Sequence, residues 1–271
     1  MNFTSIELTD KQFERVRRLI YKLSGISLKE GKEALVRARL MKRLRALDMS
    51  GFEEYLNFVE SRKGFNELGL MVDVMTTNKT GFFREEEHFN YLGEMIMQGL
   101  KNRKMRFWTA ACSSGEEPYS LGISLREEIS DIDLMDIKIL ATDISTSMLE
   151  KARKAVYREE EIARLPPGLL HKYFTRARNI SPNVYQVKDC VRKMVKVARL
   201  NLMDSWPMTG PFDVIFCRNV MIYFDRQTQQ ELINRFWKLL RTGGHLFVGH
   251  SEGLSAISHK FHYVRPAVYR K

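Results

Sequence analysis

Little in this chain points to a disulfide framework, a membrane helix or a metal cluster. Three cysteines, Cys112, Cys190 and Cys217, are spread over 271 residues. No two stand at CxxC spacing, and an odd count argues against a disulfide scaffold, so a reducing, cytoplasmic setting is expected. Long hydrophobic runs are missing. FDVIFC and HLFVG are strand-sized, and a membrane helix needs roughly 20 apolar residues. The start, MNFTSIELTDKQ, lacks the basic and apolar segments of a secretory signal. Six histidines show no HxxxH or HxH spacing, so no metal is expected. Repeats and low-complexity tracts are also absent.

What is present is a well-filled globular composition, 44% hydrophobic, with a net charge of +11. The length suits one large domain, or an ordinary domain with a small companion. The basic excess favours an acidic partner, whether nucleic acid, anionic lipid or protein; a soluble protein that is merely basic fits the charge as well.

Residues 1–75 read as helices. Thr9 can cap a helix whose stripe is Phe13, Val16, Ile20 and Leu23, ended by Gly25. A second helix runs from Lys29 to about Leu47, with Leu35, Ala38, Met41 and Leu44 facing one way. Its other surface carries Lys32, Arg37, Arg39, Lys42, Arg43 and Arg45. Phe52, Leu56 and Val59 mark a third helix and residues 65–75 a fourth, giving a small bundle. TTNKTGFFREEEHF, residues 76–89, is a connector leading into a helix that opens with three glutamates, which suits the helix dipole.

From residue 105 strands and helices alternate. MRFWTA, IKILAT, FDVIFC and HLFVG read as strands. Glu116–Glu128, Ser147–Val156 and Gln227–Leu240 read as helices. Apolar strands alternating with helices predict an α/β domain with a parallel sheet covered on both faces. Residues 173–199 break the rhythm, and their short β-rich stretches predict a small antiparallel excursion.

In such a sheet the ligand lies at the carboxyl ends of the strands, where strand order reverses. The first strand–turn–helix unit is WTAACSSGEEPYS. Its backbone N–H groups and helix N-terminus form a polar concavity. It has one glycine and two glutamates, where a diphosphate would favour several glycines and a cation. Glu116 and Glu117 suit an ammonium or a sulfonium, and S-adenosylmethionine carries both. As plain first-turn helix residues they would look the same. Asp143, in the ATDIS that ends the second strand, stands where an acid can take ribose hydroxyls, or can cap the next helix. Asn201 and Leu202 in ARLNL stand level with it, an amide for an adenine edge and an apolar face to pack on it. Arg218 and Asn219 emerge at the tip of FDVIFC, and Tyr223 follows one turn later.

TTNKTGFFRE, WTAACSSGEEPYS, ATDIS, ARLNL and FCRNVMIYFD follow in this order behind a helical segment. Together they closely resemble the CheR family of chemotaxis receptor methyltransferases, over essentially the whole chain. The resemblance implies a Rossmann-like class I SAM-dependent methyltransferase domain over 76–271. It also implies a small antiparallel β-subdomain at about 170–195 and an all-α receptor-docking domain over 1–75. It further implies S-adenosylmethionine as cofactor, S-adenosylhomocysteine as product, and glutamate side chains of chemoreceptors as acceptors.

By motif, the resemblance assigns Asn78, Thr80, Arg84, Ala110, Glu116, Asp143, Asn201, Leu202, Arg218 and Asn219 to the cofactor. Of the two glutamates it favours Glu116. Arg84 and Tyr223 are assigned to the methyl-transfer centre. Lys79 stands where members of the family vary. A glutamate carboxylate, with an ordinary pKa near 4.3, is already an anion at neutral pH and needs no general base. None of the motifs offers a His–Asp or Cys–His pair. Alignment of nucleophile, methyl and sulfur would then carry the catalysis.

Arg37, Arg39, Arg43 and Arg45 are the candidate docking residues for acidic receptor helices; a solvated helix face reads the same way. In some family members the β-subdomain also grips a receptor's C-terminal peptide. Here its turn, RARNISPN, has no glycine, and calorimetry with tail peptides tests the point. Neither nucleic-acid binding nor membrane insertion is expected. The rival readings are a nucleic-acid methyltransferase and a non-catalytic cofactor-binding scaffold. Against the first, the only Pro-Pro is in LPPG, outside any strand tip. Against the second, the chain keeps Arg84 and Tyr223.

Overall fold

The structure, a computed structural model, describes residues 6–97, 104–177 and 180–271. Its first part is a bundle of α1 (Asp10–Ser24), α2 (Glu33–Leu47), α3 (Phe52–Glu60) and α4 (Phe65–Met75). Thr9 and Gln12 form a reciprocal capping box at the start of α1, and Gly25, at φ 73°, closes its end. The core gathers Val16, Ile20, Leu40, Leu44, Tyr55, Leu56 and Met71, all with no exposed surface. On α2 the buried stripe is Val36, Leu40, Met41 and Leu44, not the row through Leu35 and Ala38. Val36, Leu40 and Leu44 stack four apart on one face. Leu35 lies about 100° around the helix from Val36 and is 43% exposed.

The second part follows α5 (Glu87–Met97). Its elements are β1 (Lys104–Ala110), α6 (Glu116–Glu128), β2 (Asp136–Asp143), α7 (Thr146–Lys154), β3 (Val156–Arg158), α8 (Glu159–Ile162), α9 (Leu169–Tyr173), β4 (Phe174–Arg176), β5 (Val184–Val187), α10 (Asp189–Arg192), β6 (Val195–Arg199), β7 (Phe212–Cys217), α11 (Arg226–Leu239), β8 (Leu240–Val248), β9 (His262–Arg265) and β10 (Val268–Arg270). The large sheet has the order β6-β2-β1-β7-β8-β10-β9. Its first five strands pair in parallel, and β10 and β9 close the edge antiparallel. Every residue of β7 is buried, as a strand covered on both faces requires. The order reverses between β1 and β7, which places the ligand crevice at their carboxyl ends.

Three local expectations are corrected. Helix α5 begins at Glu87, not at the first glutamate of the run. Glu85 instead takes a left-handed φ of 56°, because its carboxylate is drawn to Arg218 and Asn219. Helix α7 stops at Lys154, since Ala155 turns left-handed. Val156 then opens a strand of the small sheet, whose order is β3-β5-β4, so this sheet begins upstream of residue 170. Tyr157 anchors that strand: its ring packs on Phe82 and its hydroxyl donates to the Ser114 carbonyl at 2.8 Å. The turn read in RARNISPN includes residues 178 and 179, which lie outside the described residues. No helix among the described residues is long and apolar enough to cross a membrane.

Candidate active site

A cleft enclosing about 980 Å³, counting its open mouth, lies over the carboxyl ends of β1, β2 and β7. Six stretches of chain build its walls: the connector from Met75 to Arg84, the turn after β1, the tips of β2, β6 and β7, and the end of α1. Backbone strain gathers around it. Phe83, Glu85, Ala111, Ser113 and Asn219 all hold positive φ without being glycine. Such residues each cost about 1–3 kcal/mol and concentrate where surrounding structure holds a functional geometry.

Asn78, Thr80, Arg84, Asp143, Asn201, Leu202, Arg218, Asn219 and Tyr223 all line this cleft. Asp143 ends β2 and is 6% exposed. It accepts the Ser113 and Ser145 N–H groups, each at 2.8 Å. Burial raises its pKa, opposed by those same N–H donors. Asn201 spends its amide within the protein. It donates to the Leu23 carbonyl at 2.8 Å and accepts from the Met203 N–H at 3.1 Å. Its side chain thus ties the end of α1 to the segment after β6.

Ala110 and Glu116 are not on the wall. Ala110 is the last residue of β1 and packs in the core beneath the cleft. Glu116 is 4% exposed and turns back to Ser114, whose hydroxyl bonds its carboxylate at 2.7 Å. The neighbouring Glu117 takes the place expected of it and lines the cleft.

Glu117 belongs to a charged network that the sequence did not disclose. The Arg218 side chain, 1% exposed, lies between Glu117 and Glu85 at 3.1 Å from each. It also donates to the Arg84 carbonyl and sits near the rings of Phe89 and Phe216. Asn219 Nδ2 donates to Glu85 at 3.2 Å. For Glu85, burial is outweighed by Arg218 and Asn219, and its pKa lies below the ordinary value. For Glu117, burial wins over Arg218, with Glu85 adding to it, and the carboxyl is pushed up to about 7. An anion this poorly compensated beside an open cleft favours a cationic ligand group.

Ser24 and Ile26, from the end of α1, also line the cleft. Met203 packs so closely on Gly25 that a Cβ there would lie 2.4 Å from its sulfur. The bundle thus forms part of the pocket as well as a domain of its own. No spacing signal in the sequence reveals this, because the contact joins residues 178 positions apart.

On α2, Arg39 donates to the Met75 carbonyl and to Thr77 at 2.7 Å. Arg43 grips Glu67 with two bonds of 2.7 and 2.8 Å, and Arg37 donates to the Ile6 carbonyl. Lys42 and Arg45 are exposed. Glu85, His88 and His250 place ligand-type atoms within 4.8 Å of one another. A cation there would compete with Arg218 for Glu85.

The strand order and the acid-lined crevice at the switch point define a class I methyltransferase. The cofactor is S-adenosylmethionine, and the acidic and apolar side chains that line the crevice are chemically compatible with its cationic, hydroxyl and apolar parts. Residues 11–76 match the family described as the CheR methyltransferase all-alpha domain, and residues 78–269 match its SAM binding domain. The chain is 39% identical to a chemotaxis protein methyltransferase of Borreliella burgdorferi, covering 98% of this chain and 96% of that one. It is 41% identical to the chemotaxis protein methyltransferase of Escherichia coli, covering 97% and 92%. It is likewise 41% identical to chemotaxis protein methyltransferase 2 of Pseudomonas aeruginosa, covering 96% and 93%. The chain belongs to the CheR methyltransferase family.

Proposed function

We propose that this protein methylates glutamate side chains of chemotaxis receptors, forming glutamyl methyl esters and S-adenosylhomocysteine for sensory adaptation. The observation that carries the reading is the makeup of the cleft. Arg84 and Tyr223 stand at its wall beside the cofactor residues, and among the described residues no histidine belongs to its lining. A receptor carboxylate needs no proton removed before it reacts, so a site without a His–Asp or Cys–His pair suits it.

S-adenosylmethionine supplies a methyl group on a positively charged sulfur. Glu117 and Asp143 bind and orient the amino-acid and ribose ends. Arg84 orients the incoming carboxylate, and Tyr223 fixes its approach. A full ion pair with Arg84 would blunt the nucleophile, so its part is alignment. The receptor oxygen forms the new C–O bond as the C–S pair returns to sulfur, and no proton moves.

The acidic receptor helices dock on the basic face of α2. With Arg39 and Arg43 engaged inside the protein, the exposed Lys42 offers the contact. A receptor C-terminal peptide would join an edge of the small sheet. The setting is cytoplasmic. Incubation with methyl-labelled S-adenosylmethionine and receptor fragments tests the assignment. Label on receptor that mild alkali releases is expected. Label in nucleic acid would favour a nucleic-acid enzyme, and none at all a scaffold.

A further inference from the structure

At the tip of β8 the chain reads HSEG, and Glu252 of this stretch folds under the cleft wall without lining the cleft. It is 6% exposed. One carboxylate oxygen accepts the Asn219 N–H at 2.6 Å and the Gly249 N–H at 2.7 Å. The other accepts the Ile222 N–H at 3.1 Å. These donors carry the site. Asn219 sits at φ 57°, a conformation a non-glycine residue keeps only when its surroundings hold it. Its side chain bonds Glu85, which bonds Arg218. Ile222 lies in the single turn Met221–Tyr223, and so sets where Tyr223 stands. Gly249 completes the arrangement, since a Cβ there would lie 2.6 Å from both Asn219 Nδ2 and the Glu252 carboxylate.

We infer that Glu252 is a positioning residue that fixes the cofactor wall and the acceptor side of the centre in register. One oxygen serves Asn219 and, through it, Glu85 and Arg218. The other serves the turn that bears Tyr223. The inference rests on the role given above to Tyr223.

The two oxygens make the test specific. In Glu252→Gln the amide oxygen keeps the two-donor position and the NH₂ faces Ile222. The cofactor wall then stays while the Tyr223 turn loses its anchor. The expected result is a fall in kcat of about tenfold or more, with affinity for S-adenosylhomocysteine changed no more than threefold and the receptor KM within twofold. In Glu252→Asp the shorter carboxylate leaves both groups, and kcat and affinity fall together. Affinity is read by calorimetry and kcat with receptor fragments, both per folded molecule, beside thermal unfolding. A lowered unfolding temperature with wild-type kcat and affinity in folded protein overturns the inference. If the Gln variant does not fold, the Asp variant decides by the same readings. A wild-type protein that does not bind S-adenosylhomocysteine would instead strike the cofactor assignment.

Discussion

Two arginines of this protein pair with buried or half-buried carboxylates, one in each part of the molecule, and they do different work. Arg43 in the bundle meets Glu67 through two bonds that occupy both carboxylate oxygens. The Tyr55 hydroxyl adds a third at 3.1 Å. Neither Arg43 nor Glu67 lines the cleft. Arg218 meets two carboxylates and satisfies them unequally. Glu85 is held below its ordinary pKa, whereas Glu117 is pushed up to about 7. A closed pair stabilises by leaving nothing unpaired. An open one keeps an under-compensated acid beside a cavity, as a binding site needs.

The largest effect is expected from breaking the closed pair. Arg43→Ala strands a carboxylate that is 5% exposed. Removing one partner of a buried ion pair costs about 3–5 kcal/mol. Urea unfolding should show that loss, while folded protein binds S-adenosylhomocysteine within twofold of wild type. A loss under about 1 kcal/mol would mean that Glu67 finds other partners or solvent.

Next comes the open pair. Glu117→Gln removes the anion from the cleft and should weaken S-adenosylhomocysteine about 10- to 100-fold, the worth of a charged hydrogen bond at about 1.5–3 kcal/mol. Stability should hold or rise, because a neutral amide is easier to bury than a carboxylate. Glu116→Gln should change affinity less than threefold. Calorimetry on both variants settles which glutamate serves the cofactor, and the reverse ranking would undo the comparison.

That ranking marks where the sequence stopped being legible. The parallel strands could be read from apolar runs such as FDVIFC, and the polar residues at their tips from the switch-point rule. This is why Asp143, Arg218 and Asn219 could be placed. Glu116 and Glu117 are adjacent in the first turn of α6, about 100° apart around the helix. Which one faces the cleft depends on the entry turn, where Ser113 and Gly115 hold φ of 49° and 98°. A sequence does not display that rotation. The α2 stripe failed for a related reason: two apolar rows compete, and packing against α4 selects one. Ser24, Ile26 and Glu252 escaped because their roles come from contacts between segments remote along the chain. The edge strands β9 and β10 are short and only partly apolar, and carry little periodic signal.

A smaller effect follows from the same open acid. The Glu117 carboxyl takes a proton as pH falls through about 7. An ammonium on the ligand favours its charged form, so the bound state holds fewer protons. Affinity for S-adenosylmethionine should therefore be full at pH 8 and fall by up to tenfold per unit below 7, about 1.4 kcal/mol per unit. The slope should be largely absent in Glu117→Gln. Binding measured in buffers of different ionisation enthalpy should show proton release near pH 7. A flat profile in wild type would mean that Arg218 already compensates Glu117, and the pair is closed after all.

The smallest effect belongs to the exposed surface of α2, the counterpart of its half-buried, internally bonded Arg39 and Arg43. Lys42 is solvent-exposed, so its attraction to an acidic receptor helix is weakened by water and salt. Lys42→Glu should raise the receptor KM two- to fivefold at low ionic strength, about 0.5–1 kcal/mol. In half-molar salt most of the difference should vanish, since the screening length is then about 4 Å. Cofactor affinity and unfolding should not move, because Lys42 lines no part of the cleft. The contrast with Arg43→Ala is the informative part. Neighbouring cations on one helix should divide, one acting on stability without salt dependence, the other on receptor KM with it. If Lys42→Glu leaves KM unchanged at low salt, the docking surface lies elsewhere and the charge of α2 is a solvated face.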